Sequence, residues 1–254
     1  VIDILKVNIS RRVDSRGYLY NITDNLIQGI NLVDFQSDLE QGSGNELDTK
    51  FLAIHSSSAL VVNHFAYFKK NIESLNLFSF SNFSCLKFEE KLPTGLKGTP
   101  PNLDVLIKSQ DYLIGVESKF LEFTVKKKVK FSDSYCKENL PFLENHWFDL
   151  IRQYQDKSMY LDIAQLIKHS IGLLKIKDAK RPVLIYIFWE PENHNEIALF
   201  NTHRDELVRF TRKLSAIGFD FQWYSYRSLW ELWDNYNDLR QLSHKLRERY
   251  SIKL

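Results

Sequence analysis

The sequence predicts a mixed α/β domain in which a central mixed β-sheet is flanked by helices on both faces. Three strand-like segments follow one another between residues 86 and 123, whereas two later β-branched or aromatic segments are separated by helical patterns. Consecutive strands can pair as an antiparallel meander, but strands separated by helices need crossover connections. This order therefore predicts both kinds of pairing in one sheet.

The N-terminal half of the chain gives one long helix and then three strands. The first forty residues alternate short apolar pieces with turn residues, which indicates only short strands or helices. From Ser43 the apolar positions advance by four and three, which predicts an amphipathic helix with one buried side, formed by Leu47, Phe51, Ile54, Ser58, Val61, Phe65 and Phe68. Segments 86–92, 103–108 and 112–123 follow as strands, and a tight turn at Gln110-Asp111 joins the last two.

The C-terminal half alternates helices with strands. Helical periodicity over 146–155 and 159–176 precedes a continuous apolar run at 182–189, which is typical of a buried strand. A helix over 204–216, an aromatic strand over 219–226 and one closing helix complete the order.

Composition bounds the class of protein. The 254 residues are 44% hydrophobic, which can fill one sizeable core, and the net charge of +2 neither requires nor excludes a polyanionic partner. Neither a repeat nor a low-complexity linker interrupts the chain. We expect a single domain over 1–254, with an N-terminal extension (1–42), a core (43–226) and a C-terminal helix (227–254).

Several kinds of site and location are not supported. Cys85 and Cys136 are isolated, and neither has a spacing typical of zinc ligands, which fits a reducing cytoplasm. The chain has no phosphate-cradling glycine loop and no nucleophile elbow. No apolar run approaches the roughly 20 residues of a membrane span, and no signal-peptide pattern is present. We expect a cytoplasmic protein without membrane association.

Three charged residues stand among core-like residues of the predicted hairpin. A two-residue turn at Gln110-Asp111 puts Asp104 directly opposite Glu117, and opposed residues share a face of the sheet. Lys119 lies two residues beyond Glu117 and falls on the same face. Two facing carboxylates repel unless a cation lies between them, and Mg²⁺ or Mn²⁺ suits oxygen ligands. The alternative is a buried ionic triad in which Lys119 bridges both carboxylates.

The motif Pro101-Asn102-Leu103-Asp104 followed by Glu117-Ser118-Lys119 resembles the PD-(D/E)XK nuclease superfamily, which has the restriction-endonuclease-like fold. Segments 56–60 and 165–169 also look like those of uncharacterised bacterial members. One departure is that the proline does not directly precede the aspartate. The resemblance implies that Asp104 and Glu117 are metal ligands, that Lys119 is the catalytic lysine, and that the reaction is phosphodiester hydrolysis, with DNA as the expected substrate.

Two further residues are candidates for the site. Many superfamily members add a glutamate from the first core helix, which makes Glu46 a candidate catalytic residue and metal ligand. However, the Ser43-to-Glu46 spacing is also that of a capping box. Gln165 resembles a glutamine that reaches the active site in some branches, although it could equally be an ordinary boundary residue. His169, one turn further, could contact phosphate or could be a satisfied boundary side chain.

Basic residues near the predicted site are candidates for nucleic-acid contacts. Lys126, Lys127, Lys128 and Lys130 follow the strand that carries Lys119, and Lys168 lies on the following helix. A solvated charged face is the simpler interpretation of such a run. A second basic cluster, formed by Arg240, Lys245, Arg247 and Arg249, has the same two interpretations.

Two other functions remain open at this level. One is a nucleic-acid-binding module that keeps the fold without turnover. The other is a partner-binding protein, in which Trp230 and Trp233 of the closing helix would form an interface. A homodimer would fit double-strand cleavage. Glu89 and Glu90 are expected at the rim of the sheet.

Overall fold

A computed structural model describes residues 1–9, 11–41, 47, 49–176 and 180–254 of the chain. The N-terminal region contains helix α1 (Ile2–Val7), helix α2 (Gln36–Glu40) and two short 3-10 turns between them. Buried side chains such as Leu5, Phe35 and Leu39 join this region to the main hydrophobic core.

Helix α3 (Ser57–Phe65) is much shorter than the helix predicted from Ser43. It begins after Ser56, whose side chain accepts a hydrogen bond from the backbone N–H of Ala59 at 3.2 Å and so caps the first turn. Phe51 is buried in a separate 3-10 turn, Lys50–Leu52. The predicted helix is therefore wrong before residue 57, and residues 42–46 and 48 lie outside the described residues.

The remaining elements are β1 (Phe83–Lys91), β2 (Asn102–Ser109), β3 (Tyr112–Lys119), β4 (Lys127–Lys128), α4 (Asn145–Tyr154), β5 (Ser158–Met159), α5 (Ile163–Lys175), β6 (Arg181–Phe188), α6 (Ala198–Ala216), β7 (Asp220–Ser225), α7 (Tyr226–Trp233) and α8 (Arg240–Tyr250). They follow the predicted order except for the short β4–β5 ribbon, which was not predicted and which replaces the start of the helix predicted from residue 159. The closing segment is two helices, and the prediction of one is wrong. The Asp234–Asp238 stretch DNYND separates them, since Asn and Asp favour turns over helix interiors.

The main sheet has five strands in the order β1-β2-β3-β6-β7. The first three pair antiparallel, whereas β3, β6 and β7 pair in parallel. Helix α5 connects β3 to β6 and helix α6 connects β6 to β7, as parallel pairing requires. The predicted mixed sheet is confirmed, and the architecture is that of a restriction-endonuclease-like core.

Helices cover both faces of the sheet. Helix α5 approaches one face closely: a Cβ added to Gly115 would lie 2.9 Å from Leu103 and 3.0 Å from Leu173. On the opposite face, the side-chain hydroxyl of Ser118 lies 2.6 Å from the hydroxyl of Tyr226 in α7. Successive β3 residues therefore point into two different environments. Within the described part of the chain, no helix is both long enough and apolar enough to span a bilayer.

Candidate active site

The β2–β3 hairpin has the register predicted from its turn. Val105 pairs with Val116, and Lys108 pairs with Leu113. The strand pairing ends at Val105–Val116, so Asp104 and Glu117 lie one residue beyond the paired part of the hairpin, at the end that faces away from the turn. Strand β3 ends at Lys119 rather than at residue 123, because the chain turns into a 3-10 segment at Glu122–Thr124.

Four polar side chains converge at this end of the hairpin, and we call Asp104, Glu117, Lys119 and His169 the charged cluster. Lys119 Nζ donates a hydrogen bond to Glu117 Oε1, and His169 Nε2 of α5 lies 2.9 Å from Glu117 Oε2. Asp104 Oδ2 accepts the backbone N–H of Ser118 at 2.6 Å. Glu117 and His169 are fully buried, whereas Asp104 remains partly exposed.

The electrostatics of the two carboxylates differ sharply. Burial raises the pKa of Asp104 well above 3.8, and the negative charge of Glu117 raises it further against the opposing effect of Lys119. Burial would also raise the pKa of Glu117, but the neighbouring Lys119 and His169 outweigh it and lower that pKa to about 2. For Lys119, the attraction of Glu117 and Asp104 outweighs burial and raises its pKa above 10.5. Glu117 and Lys119 are thus a charged pair.

The sequence analysis did not anticipate the position of His169. The residue is neither a phosphate contact nor a boundary side chain, since it is 0% exposed and faces Glu117 from the helix above. A signal existed: His169 lies three residues after Leu166 and four before Leu173, both of which are buried on α5. His169 Nε2 and Glu117 Oε2 are 2.9 Å apart, but the geometry of this contact is not that of a well-aligned hydrogen bond. His169 Nδ1 makes no hydrogen bond with a described residue.

The donor chemistry of the charged cluster fits a hard divalent cation. Glu117 Oε2 is a buried oxygen without an aligned hydrogen bond, and Asp104 supplies a second carboxylate on the neighbouring strand. Within the described ranges, no group of three His, Cys, Asp or Glu side chains could hold a metal ion. Two carboxylates suit Mg²⁺ or Mn²⁺, because Mg²⁺ keeps several waters and commonly takes one or two carboxylates together with substrate phosphates.

Comparison with known proteins identifies the family. The profile of a family described as "Restriction Endonuclease associating with ARP" matches residues 14–251. The chain belongs to this family. Membership supports a nuclease-like function in general terms, and it agrees with the restriction-endonuclease-like fold. No curated protein and no solved structure matches the chain.

Two of the other candidate residues, Gln165 and Lys168, line a separate cleft, whose described lining residues do not include the charged cluster. They form one wall of this cleft of about 510 Å³, and the segment that ends at Pro101, just before β2, forms another. The backbone N–H of Gln165 is bonded to the Asp162 side chain, which caps α5. Glu46 lies outside the described residues, so its predicted role stays a prediction.

The lysine run follows β3 after the 3-10 segment Glu122–Thr124. Lys127 pairs with Asp162 at 3.0 Å and also lines a crevice against Lys119. Lys128 pairs with Asp156 at 3.0 Å, Lys126 lies over the ring of Tyr160 at 5.0 Å, and Lys130 is exposed. The side chains of Lys127 and Lys128 are therefore already partly neutralised.

The aromatic residues of the closing segment are not an interface. Trp230 and Trp233 are 1% and 0% exposed, and their indole N–H groups donate to His64 Nε2 and to the Asn76 carbonyl oxygen. The prediction that they form a partner surface is wrong. Arg249 is also buried, where it donates to Asn25 Oδ1, so it does not belong to a solvated basic face.

Proposed function

We propose that this protein is a metal-dependent nuclease of the PD-(D/E)XK superfamily that hydrolyses phosphodiester bonds, with DNA as its substrate. The observation that carries the proposal is the charged cluster itself. Two carboxylates on adjacent strands lie beside a buried lysine, and one oxygen of Glu117 is left without an aligned hydrogen bond. Burying charged side chains in this way is costly, and ionisable groups with strongly shifted pKa values concentrate at functional sites.

Asp104 and Glu117 would hold the divalent ion, Mg²⁺ or Mn²⁺. When bound, such an ion polarises a phosphoryl oxygen and lowers the pKa of a coordinated water. Asp104 is oriented by the Ser118 N–H group, and Glu117 is oriented by Lys119 and His169. These contacts fix both carboxylates before substrate arrives, which is what preorganised electrostatic catalysis requires.

Lys119 would act on the reacting phosphate. Its ammonium group has three N–H donors, of which Glu117 takes one. The others are free to orient the attacking water or to stabilise negative charge that develops on phosphate oxygens. His169 does not reach substrate in this scheme, because it is fully buried behind Glu117, and its role is to position that carboxylate.

The direct test is cleavage of plasmid and single-stranded DNA with Mg²⁺ or Mn²⁺ against EDTA. Asp104→Asn removes one ligand charge from a partly exposed position, so the variant should fold and should lose metal-dependent cutting. Glu90→Gln is the matched control, since Glu90 is a partly exposed carboxylate on the adjacent strand β1. Cleavage by Asp104→Asn at the unsubstituted rate would overturn the proposal.

A second candidate is a nucleic-acid-binding protein on the same fold that does not turn over. The observation in its favour is that Lys119 already neutralises the charge of the fully buried Glu117, while His169 Nε2 lies 2.9 Å from the other carboxylate oxygen. This candidate predicts salt-sensitive DNA binding with no cutting in any metal.

The family description also names an association with ARP, and we propose that this chain shares it. Co-purification with that partner would test the association. A homodimer and a cytoplasmic location stay predictions.

A further inference from the structure

A second cleft, of about 650 Å³, opens between α4, β5 and α6. We call it the basic cleft, because four cationic side chains line it against a single carboxylate, that of Glu206: Lys157, Arg209, Arg212 and Lys213. Glu206 is itself engaged, since Oε2 accepts the backbone N–H of Leu161 at 2.8 Å. The cleft therefore presents an excess of positive charge to solvent.

Three of these cations form one face of α6. Arg209, Arg212 and Lys213 are spaced by three and four residues, so their side chains are neighbours on the helix surface, and all three are exposed. None of the three forms an ion pair or a hydrogen bond with another described residue, although burial raises the pKa of Glu206 and the charge of Arg209 lowers it. Like charges at this spacing slightly destabilise a helix. Such an arrangement gains stability when an external anion binds.

The neutral residues of the basic cleft point to the same class of ligand. Gln153 and Ser158 also line it and offer uncharged hydrogen-bond donors beside the cations. Arg, Lys, Ser and Gln side chains are the groups that contact phosphate oxygens in protein–nucleic acid complexes. The cleft is open to solvent rather than enclosed, which fits a strand that lies along it.

The basic cleft continues from the charged cluster along the protein surface. Lys127 of β4 lies in the crevice against Lys119, together with Tyr160 and Asp162. Across the β4–β5 ribbon Lys127 pairs with Met159, and Met159 lines the basic cleft. From Asp162 to Met159 the chain advances three residues, roughly 10 Å if it is extended. A nucleic-acid strand held at the charged cluster would therefore reach the basic cleft within a few nucleotides.

We propose that the basic cleft binds the phosphodiester backbone of the nucleic acid beyond the scissile bond and so fixes the path of the strand. This inference rests on the proposed function, and it assigns a nucleic-acid contact to Arg209, Arg212 and Lys213 that the lysine run does not provide. The paired Lys127 and Lys128 must release Asp162 and Asp156 before they bind phosphate fully. Among the described residues, Arg212 and Lys213 have no carboxylate within ion-pair distance, and Arg209 faces only Glu206, whose burial-raised pKa it lowers without forming an ion pair.

The test compares two double variants that each remove two positive charges from exposed side chains. Arg209→Ala with Arg212→Ala changes the basic cleft. Arg12→Ala with Arg16→Ala is the matched control in the N-terminal region, where the two exposed guanidinium groups lie over the rings of Tyr20 and Tyr18. Binding to duplex and single-stranded DNA is measured in EDTA, which separates affinity from cutting, from about 50 to 200 mM salt.

The basic-cleft variant should bind roughly tenfold more weakly at low salt, and the slope of log affinity against log salt should become shallower by about 1.8, or 0.9 for each lost phosphate contact. The control should match the unsubstituted protein. Equal weakening of both variants, an unchanged slope, or absence of DNA binding by the unsubstituted protein would each overturn the inference. DNA binding that depends on the basic cleft but without metal-dependent cutting would support the inference and overturn the nuclease proposal.

Discussion

Two polar clusters lie on opposite faces of β3, and they differ in how their polar atoms are satisfied. In the neutral cluster (His64, Tyr226 and Trp230), His64 Nδ1 donates to the Leu60 carbonyl oxygen at 2.7 Å, and Nε2 accepts from Trp230 Nε1 at 2.8 Å. The Leu60 carbonyl oxygen can only accept a hydrogen bond and the Trp230 indole N–H can only donate one, so together they fix His64 as a neutral imidazole. Burial lowers the pKa of His64 to about 3, although the Leu60 hydrogen bond opposes this change.

The charged cluster is built in the opposite way. It keeps Glu117 and Lys119 ionised in the interior, and it leaves Glu117 Oε2 and both nitrogens of His169 without aligned hydrogen bonds. Burying charge is expensive, and a protein that needed only stability would do better with apolar side chains at these positions. The comparison indicates that the neutral cluster stabilises the fold, whereas the charged cluster carries a cost in stability that the proposed catalytic role would explain.

The largest expected effect is on cleavage. Lys119→Met removes the ammonium group from the charged cluster while keeping most of the side-chain volume. Loss of a positioned charge-stabilising donor should lower the single-turnover rate of DNA cleavage by roughly 100- to 1000-fold per folded molecule. The rate is measured below the melting temperature of the variant, with Glu90→Gln as control. A cleavage rate within threefold of that of the unsubstituted protein would contradict a catalytic role for Lys119 in the charged cluster.

Next in size is a loss of stability from the neutral cluster. Trp230→Phe leaves His64 Nε2 buried without its donor and opens a small cavity. The free energy of unfolding should fall by about 3 kcal/mol, because an unsatisfied buried group and lost volume both contribute. Denaturant unfolding measures this loss. Cleavage per folded molecule should stay within twofold, and a catalytic defect as large as that of Lys119→Met would mean that the two clusters are not separable.

A smaller effect is expected from pH. His64 has a pKa of about 3 in the folded protein and 6.5 as a free side chain, so the unfolded chain binds a proton first as the pH falls. Stability is therefore retained above pH 6.5 and lost progressively below it, by about 2 kcal/mol for this residue between pH 7 and pH 5. Unfolding free energies at both pH values measure the loss. His64→Gln should reduce the difference by that amount, and an unchanged difference would contradict the assignment of a neutral His64.

The smallest effect concerns the residue that separates the two clusters. Ser118 lies between Glu117 and Lys119 in sequence, but its hydroxyl contacts Tyr226 on the other face, while its backbone N–H holds Asp104. Ser118→Ala removes only the hydroxyl contact and should cost about 1 kcal/mol of unfolding free energy. The cleavage rate should remain within threefold. A rate loss of a hundredfold would show that Ser118 acts on the charged cluster through its side chain.

Much of the hairpin could be predicted from the sequence because its geometry is local. A two-residue turn and the period of two along a strand are enough to predict the pairing from Lys108–Leu113 to Val105–Val116 and to bring Asp104, Glu117 and Lys119 to the same end of the hairpin. The order of helices and strands followed from hydrophobic periodicity. Helix boundaries were less predictable: the stripe from Leu47 to Phe68 continues in helical spacing although the helix begins only at Ser57, where Ser56 supplies the cap.

By itself, the sequence determined the mixed sheet, the hairpin register and the three charges at its end, because these depend on residues close together in the chain. Only the tertiary structure decided that His169, carried by α5, faces Glu117, that the tryptophans of α7 are core, and that α6 and β5 enclose the basic cleft. These relations join residues that are far apart in sequence. Packing of helices on a sheet sets them, and no local periodicity encodes which side chains then meet.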